Sequence, residues 1–265
     1  MKLHTTRRGD GPLLVCHPGG PGFDGGELHD LAGLDRARTL LLVDPRGTGR
    51  TGPAPSYELD DYVADLEELR AGLQLDAIDL LGFSHGGLVG AAYAAAHPHR
   101  VRKLVLACSL AAFTDEMQAE ADRLIASHAR EPWHATAVAA LEREERGDYR
   151  TPDQAAAMWN DMAPLYFAAW DERYRTLVEA ERLEPGPLRS FNATPFDIRP
   201  ELGKITARTL VVAGSEDFVC GPAAAADLGR GIRGAEVVLL EGAGHFAFLE
   251  RPHAFRETVE RFLSY

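Results

Sequence analysis

The chain reads as an α/β protein, with a mostly parallel, doubly wound sheet and one helical insertion. Three observations predict this. Short apolar runs alternate with helical segments up to Cys108; the strand pattern stops between about Ala111 and Arg199; it resumes after about Lys204. Alternating strands and helices imply parallel strands joined by right-handed crossovers. Two such stretches around a helical one imply a single sheet interrupted once. The expected division is a core over 1-110 and 200-265, with a helical cap, or lid, over 111-199.

Each element has its own reason. Leu13-Leu14-Val15-Cys16 is an apolar run that ends in the Gly/Pro turn chemistry of His17-Pro18-Gly19-Gly20-Pro21-Gly22. Thr39-Leu40-Leu41-Leu42-Val43 ends at Asp44-Pro45-Arg46-Gly47. Tyr57 to Leu73 has a helical period, with Tyr62, Leu66 and Leu69 on one face. Ala77-Ile78-Asp79-Leu80-Leu81 is short and apolar, as a buried parallel strand should be. The Ala-rich run Leu88 to Ala96 favours helix, and Val101 to Ala107 is again strand-like.

In the insertion, Thr114-Asp115-Glu116 reads as a helix start with acids in its first turn. Thr151-Pro152-Asp153-Gln154 is a capping box with proline at the first helical position, and Gly147 reads as a helix stop. Trp133, Trp159 and Trp170 lie here with Tyr149, Tyr166, Phe167 and Tyr174. Most should form the lid's own core, with a few facing a pocket. Beyond it, Thr209 to Ala213 and Glu236 to Leu240 are strands, Pro222 to Leu228 opens a helix, and Pro252 to Leu263 is a terminal helix. There are no repeats and no low-complexity tract.

Composition excludes some functions. At 265 residues the chain can bury a large core. A net charge of −12 argues against nucleic acid and anionic membrane surfaces, whose phosphates need a basic footprint. No run approaches the roughly 20 apolar residues of a membrane span. The first ten residues carry no apolar h-region, so no signal peptide is expected. Cys16, Cys108 and Cys220 are far apart and without metal spacing, which suits reduced thiols in a cytoplasmic protein.

The chemistry centres on Ser84, in Gly82-Phe83-Ser84-His85-Gly86-Gly87 between the Ala77 strand and the Ala-rich helix. Alone, Gly-x-Ser-x-Gly is a weak signal; between strand and helix it describes a nucleophile elbow. The serine is then forced into strained backbone at a helix N-terminus, where the dipole favours a developing oxyanion. A serine nucleophile needs a base, a carboxylate to orient it, and oxyanion donors. Asp217, just past the Thr209 strand, is the candidate acid, and His245, just past the Glu236 strand, the candidate base. All three fall at carboxyl ends of strands, where doubly wound sheets gather their sites, in the order Ser, Asp, His.

Glu216 should point away, and Asp115 is the rival acid. His97, His99, His134 and His253 read as surface residues. The oxyanion donors should be the His85 amide and a glycine amide of the His17–Gly22 loop; Gly19 and Gly20 both qualify, and Gly20 is favoured. Asp44, Arg46, Gly47 and Gly49 read as a structural turn.

Five segments carry a resemblance: His17-Pro18-Gly19-Gly20-Pro21-Gly22, Asp44-Pro45-Arg46-Gly47-Thr48-Gly49, Gly82 to Gly87, Gly214-Ser215-Glu216-Asp217-Phe218-Val219-Cys220-Gly221-Pro222, and Gly244-His245-Phe246. They resemble the α/β-hydrolase family, and within it the proline iminopeptidase-like group. The resemblance implies the α/β-hydrolase fold with an eight-stranded sheet, a Ser-His-Asp mechanism without cofactor, and a small-molecule or short-peptide substrate. Two departures stand out. Pro18 intrudes into a motif that usually runs His-Gly-Gly-Pro-Gly, and the short N-terminus leaves room for the first antiparallel strand to be missing.

Aminopeptidases of this group hold the substrate's free amine with lid carboxylates; Glu142, Glu144, Glu145, Asp161, Asp171 and Glu172 are all available. The leading expectation is a proline iminopeptidase-like serine hydrolase. The second is an esterase, lactonase or thioesterase, including one of secondary metabolism, and the third a non-catalytic ligand-binding protein of the same fold.

Overall fold

Leu40, Leu41, Leu42 and Val43 are consecutive, apolar and buried, which a strand achieves only when both faces of its sheet are covered. The computed structural model, which describes residues 1–264, shows that arrangement; Tyr265, the last residue of the expected core, lies outside it. Strands β1 (His4–Arg8), β2 (Leu13–His17) and β3 (Thr39–Asp44) are followed by helix α1 (Leu59–Gly72), β4 (Ile78–Phe83), α2 (His85–Ala96) and β5 (Val101–Ala107). Five helices come next: α3 (Asp115–Ser127), α4 (His134–Glu145), α5 (Pro152–Met162), α6 (Glu172–Ala180) and α7 (Pro185–Ala193). The chain ends with β6 (Arg208–Gly214), α8 (Pro222–Gly231), β7 (Glu236–Leu240), the short α9 (Ala247–Glu250) and α10 (Pro252–Ser264).

The strands form one seven-stranded sheet in the order β1-β3-β2-β4-β5-β6-β7. β1 runs antiparallel to β3 and every other pairing is parallel. The sheet is one strand short of the eight that the resemblance implies. An antiparallel strand is nonetheless present: His4–Arg8 pairs with Leu40–Asp44 at the sheet edge. Its polar side chains carry no apolar pattern, because an edge strand with an exposed face needs none.

Alternate residues of each strand feed two separate cores. Leu14, Leu40, Leu42, Leu81, Phe83 and Val105 join one. Val15, Leu41, Val43, Leu80, Leu104 and Leu106 join the other. The period of two places neighbours on opposite faces, so an unbroken apolar run is what this sheet requires.

The helical segment between β5 and β6 starts where the chain chemistry says it should. The Thr114 hydroxyl accepts the Met117 amide at 3.2 Å, and Thr151 and Gln154 form a reciprocal capping box. Its two ends meet at the sheet, where the Ile198 amide donates to Ala111 at 2.9 Å and Ala112 pairs with Asp197. The aromatics of this segment do more than form a core of their own. Phe167 stacks between Tyr174 at 4.4 Å and Phe246 at 5.2 Å, and Phe246 belongs to the loop after β7. Trp159 packs edge-on against Phe23 at 5.1 Å. Through Trp159 of α5 and through Phe167, the helical segment therefore rests on the loops that follow β2 and β7.

Candidate active site

Ser84 is the residue between β4 and α2, and its backbone has φ 53° and ψ −121°. Such a conformation costs a non-glycine residue on the order of 1–3 kcal/mol. It persists because the turn is over-determined. The Ser84 amide donates to Ala107 at 2.9 Å, and its carbonyl accepts the Ser109 hydroxyl at 2.9 Å. A Cβ on Gly82 would lie 2.2 Å from the Gly86 carbonyl, and one on Gly86 would lie 2.4 Å from the His17 carbonyl. Strand, helix and the loop after β2 approach so closely that only glycine fits at both positions.

His245 follows β7 and Asp217 follows β6. The imidazole Nδ1 lies 2.8 Å from Asp217 Oδ2, with both side chains essentially buried. The other carboxylate oxygen of Asp217 accepts the amides of Val219 and Cys220, each at 2.9 Å. A carboxylate held by three donors in a dry site is fixed in direction. His245 is steadied from other sides. Its amide donates to the Tyr166 carbonyl at 2.7 Å, and its ring lies 4.9 Å from Phe83. The preceding amide of Gly244 donates to Glu250 at 2.6 Å. Ser84 and His245 line one cavity of about 110 Å³, together with Gly20, Glu27, Glu144 and Trp159.

Asp115 stands apart from this site. It is exposed in the first turn of α3 and supports the helix N-terminus. The Glu216 amide is tied to Ala243 at 2.9 Å, and it is the side chain of Asp217 that meets His245. Asp44 and Arg46 are structural. Asp44 accepts the amides of Gly25 and Arg50, and Arg46 bonds Asp65, Ser56 and Asp61.

In the loop after β2, the Gly19 amide donates to Glu27 Oε2 at 2.5 Å. The amides of Gly20 and His85 have no acceptor among the described residues. Gly20, which lines the cavity, has φ +95°, a backbone conformation that favours glycine.

A family model for the alpha/beta hydrolase fold matches residues 12–252. The chain belongs to the alpha/beta hydrolase family. A proline iminopeptidase from Levilactobacillus brevis is 28% identical over 273 residues, covering 96% of this chain and 88% of that protein. Among solved structures, an esterase from Exiguobacterium antarcticum superposes with a TM-score of 0.76 at 23% identity, over 99% of this chain and 96% of that one. The enol-lactonase from Burkholderia xenovorans is similar at 26% identity and a TM-score of 0.70, over 99% and 96% of the two chains. Among the described residues of this hydrolase, no helix is long and apolar enough to cross a membrane.

The tertiary structure separates the insertion's carboxylates. Glu144 lines the cavity with Ser84, partly buried, and its partner is the Asn192 amide at 3.3 Å. Burial raises its carboxyl above the usual range. Glu142 faces Arg146 at the surface, Asp161 pairs with Arg143, Asp171 caps α6, and Glu172 pairs with Arg175. Glu145 is exposed beside a neighbouring groove.

Two further carboxylates carry no sequence signal at all. Glu27 is 3% exposed and sits beside the loop after β2. The Glu181 side chain, 5% exposed, accepts Trp159 Nε1 at 3.0 Å. Burial pushes Glu181 up to about 8, and burial followed by the nearby Glu181 pushes Glu27 well up. A polar Asp-Gly-Gly-Glu stretch and one of several glutamates near a helix end look like ordinary surface; only the three-dimensional packing buries them.

A pH effect follows. An acid whose folded pKa exceeds its ordinary value binds more protons folded than unfolded, so its stabilisation is full below the ordinary value and lost as pH rises through the folded one. For Glu181 that window runs from 4.5 to about 8. Burial lowers His17 to about 4 and His85 to about 3, and these histidines act with the opposite sign below their ordinary 6.5. Between pH 6.5 and 8 the carboxylates should dominate among these groups. The urea midpoint should fall across that range, and Glu181→Gln should flatten the decline. An unchanged slope in the variant would place the titrating proton elsewhere.

Proposed function

We propose that this hydrolase is a serine hydrolase working through an acyl-enzyme, and that it acts on short peptides or amides with a free N-terminal amine, proline first. One observation carries the chemical part. A serine on a strained elbow shares a cavity with a histidine whose far nitrogen is bonded to a buried, fully partnered aspartate. In the proposed reaction the Ser84 hydroxyl attacks the carbonyl and His245 takes its proton. The Gly20 and His85 amides hold the oxyanion. His245 then returns the proton to the leaving nitrogen as the carbonyl–nitrogen bond breaks. Water, deprotonated by His245, attacks the acyl-enzyme and restores Ser84.

The amine preference is supported by Glu144. A carboxyl kept from water gains most from a cation, because neither charge is then left without a partner in a poorly solvated space. The similarity to a proline iminopeptidase points the same way. The five helices over the cavity then act as a lid that excludes water and chooses substrate. A second reading, an esterase or lactonase, is favoured by the apolar walls that Phe23, Met162, Leu183 and Leu188 give the cavity.

Proline anilide and its N-acetylated form separate the two readings. The free amine should be preferred. Glu144→Gln should lower kcat/KM for the free amine by roughly tenfold to a hundredfold, as expected for a charge-assisted bond of about 1.5–3 kcal/mol. The acetylated compound and a short p-nitrophenyl ester should change little. Equal turnover of both anilides by the parent enzyme would give the lead to the esterase reading.

A further inference from the structure

Gly19 is wedged between the nucleophile and a buried carboxyl: a Cβ added there would lie 3.0 Å from Ser84 Cβ and 3.2 Å from Glu27 Oε2. Its amide donates to that same oxygen. We infer that Glu27 is a positioning residue for the oxyanion hole: by accepting the Gly19 amide it locks the loop after β2, so that the next amide, Gly20, is the one presented beside Ser84. The inference rests on the serine-hydrolase reading for its catalytic meaning, and on the hydrogen bond for its structural one.

Glu27 is itself well held. It lies in a 3₁₀ turn, Gly25–Leu28, whose first amides are tied to Asp24 at 2.7 Å and to Asp44 at 3.2 Å. Asp44 is the last residue of β3, so the carboxyl is referenced to the sheet through a few short bonds. The insertion clamps the loop from its other side, where the Glu184 amide donates to the Gly22 carbonyl at 2.9 Å. Between these anchors the Gly20 amide stays unpaired among the described residues, on a residue that lines the cavity with Ser84.

The chemistry suits a carboxyl in its neutral form. An anionic carboxylate this close would oppose the negative charge that develops on the substrate oxygen. The dry surroundings of Glu27 favour the neutral acid, which accepts a hydrogen bond without that repulsion. Glutamine has the same shape and the same accepting oxygen. Aspartate keeps the carboxyl group but is one methylene too short to reach Gly19. Loss of the acceptor leaves a buried amide unpaired, and the loop relieves this by turning.

The test compares Glu27→Ala, Glu27→Asp and Glu27→Gln in the full chain. The readouts are kcat and KM for a short p-nitrophenyl ester and amide hydrogen exchange over residues 18–23. Removing an oxyanion donor costs about 10²–10³ in kcat. Glu27→Ala and Glu27→Asp should approach that loss, with little change in KM and faster exchange in the loop. Glu27→Gln should keep kcat within a few-fold of the parent and exchange near parental.

If alanine fails to fold, aspartate and glutamine still decide the matter. Parental kcat in Glu27→Asp would overturn the inference. So would a glutamine variant that loses kcat while its loop exchange stays parental, since the charge itself would then be in use. Failure of the serine reading looks different. Ser84→Ala would stay fully active on the same ester, while loop exchange in the Glu27 variants would still report the Gly19 bond.

Discussion

Replacing Ser84 by alanine should abolish covalent labelling by a fluorophosphonate and lower kcat by roughly 10⁴–10⁶, the scale expected when a triad nucleophile is removed. The fold should survive. The hydroxyl is the only group lost, and the elbow is held through its own backbone, whose amide donates to the Ala107 carbonyl and whose carbonyl accepts the Ser109 hydroxyl, bonds that alanine keeps. Alanine also meets no new steric barrier at φ 53°, since serine already carries a Cβ there. Full phosphonylation of the variant at another serine would overturn the assignment of the nucleophile. Retained labelling with lost turnover would place Ser84 in substrate positioning instead.

Asp217→Asn should cost on the order of 10⁴ in kcat with little change in thermal stability. The Val219 and Cys220 amides would keep an oxygen acceptor at Oδ1. On the His245 side, an amide nitrogen would face Nδ1 at 2.8 Å, so the imidazole would flip to the tautomer that cannot take the Ser84 proton. Asp115→Asn should change kcat less than threefold, because it alters only an exposed helix start. Pre-steady-state acylation of a p-nitrophenyl ester measures both variants. The reverse ranking would move the acid to the end of β5.

The elements that could be read in advance are those with local causes. β3 and β4 announce themselves because a strand covered on both faces needs an unbroken apolar run. The starts of α3 and α5 are written by Thr114 and Thr151, whose hydroxyls act within three residues of themselves. β1 could not be read, since its partner is a strand some forty residues away and its side chains are half in water. The capping chemistry marks where insertion helices begin, but says nothing of Phe167 stacking on Phe246 across the joint with the core.

The sequence by itself marked the candidate site: the strand-turn-helix elbow at Ser84, Asp217 and His245 after successive strands, and the glycine loop after β2. Each is a short motif set by its own backbone geometry, so neighbouring residues suffice to mark it. The tertiary structure decided which carboxylates line the cavity with Ser84. Of the six insertion acids only Glu144 does so, and Glu27 joins it with no local mark, while Glu181 is buried behind Trp159. It also tied up the Gly19 amide and left that of Gly20 without an acceptor among the described residues, because the acceptor comes from a turn eight residues further on. Burial and charge proximity are sums over distant segments, and no window of sequence contains them.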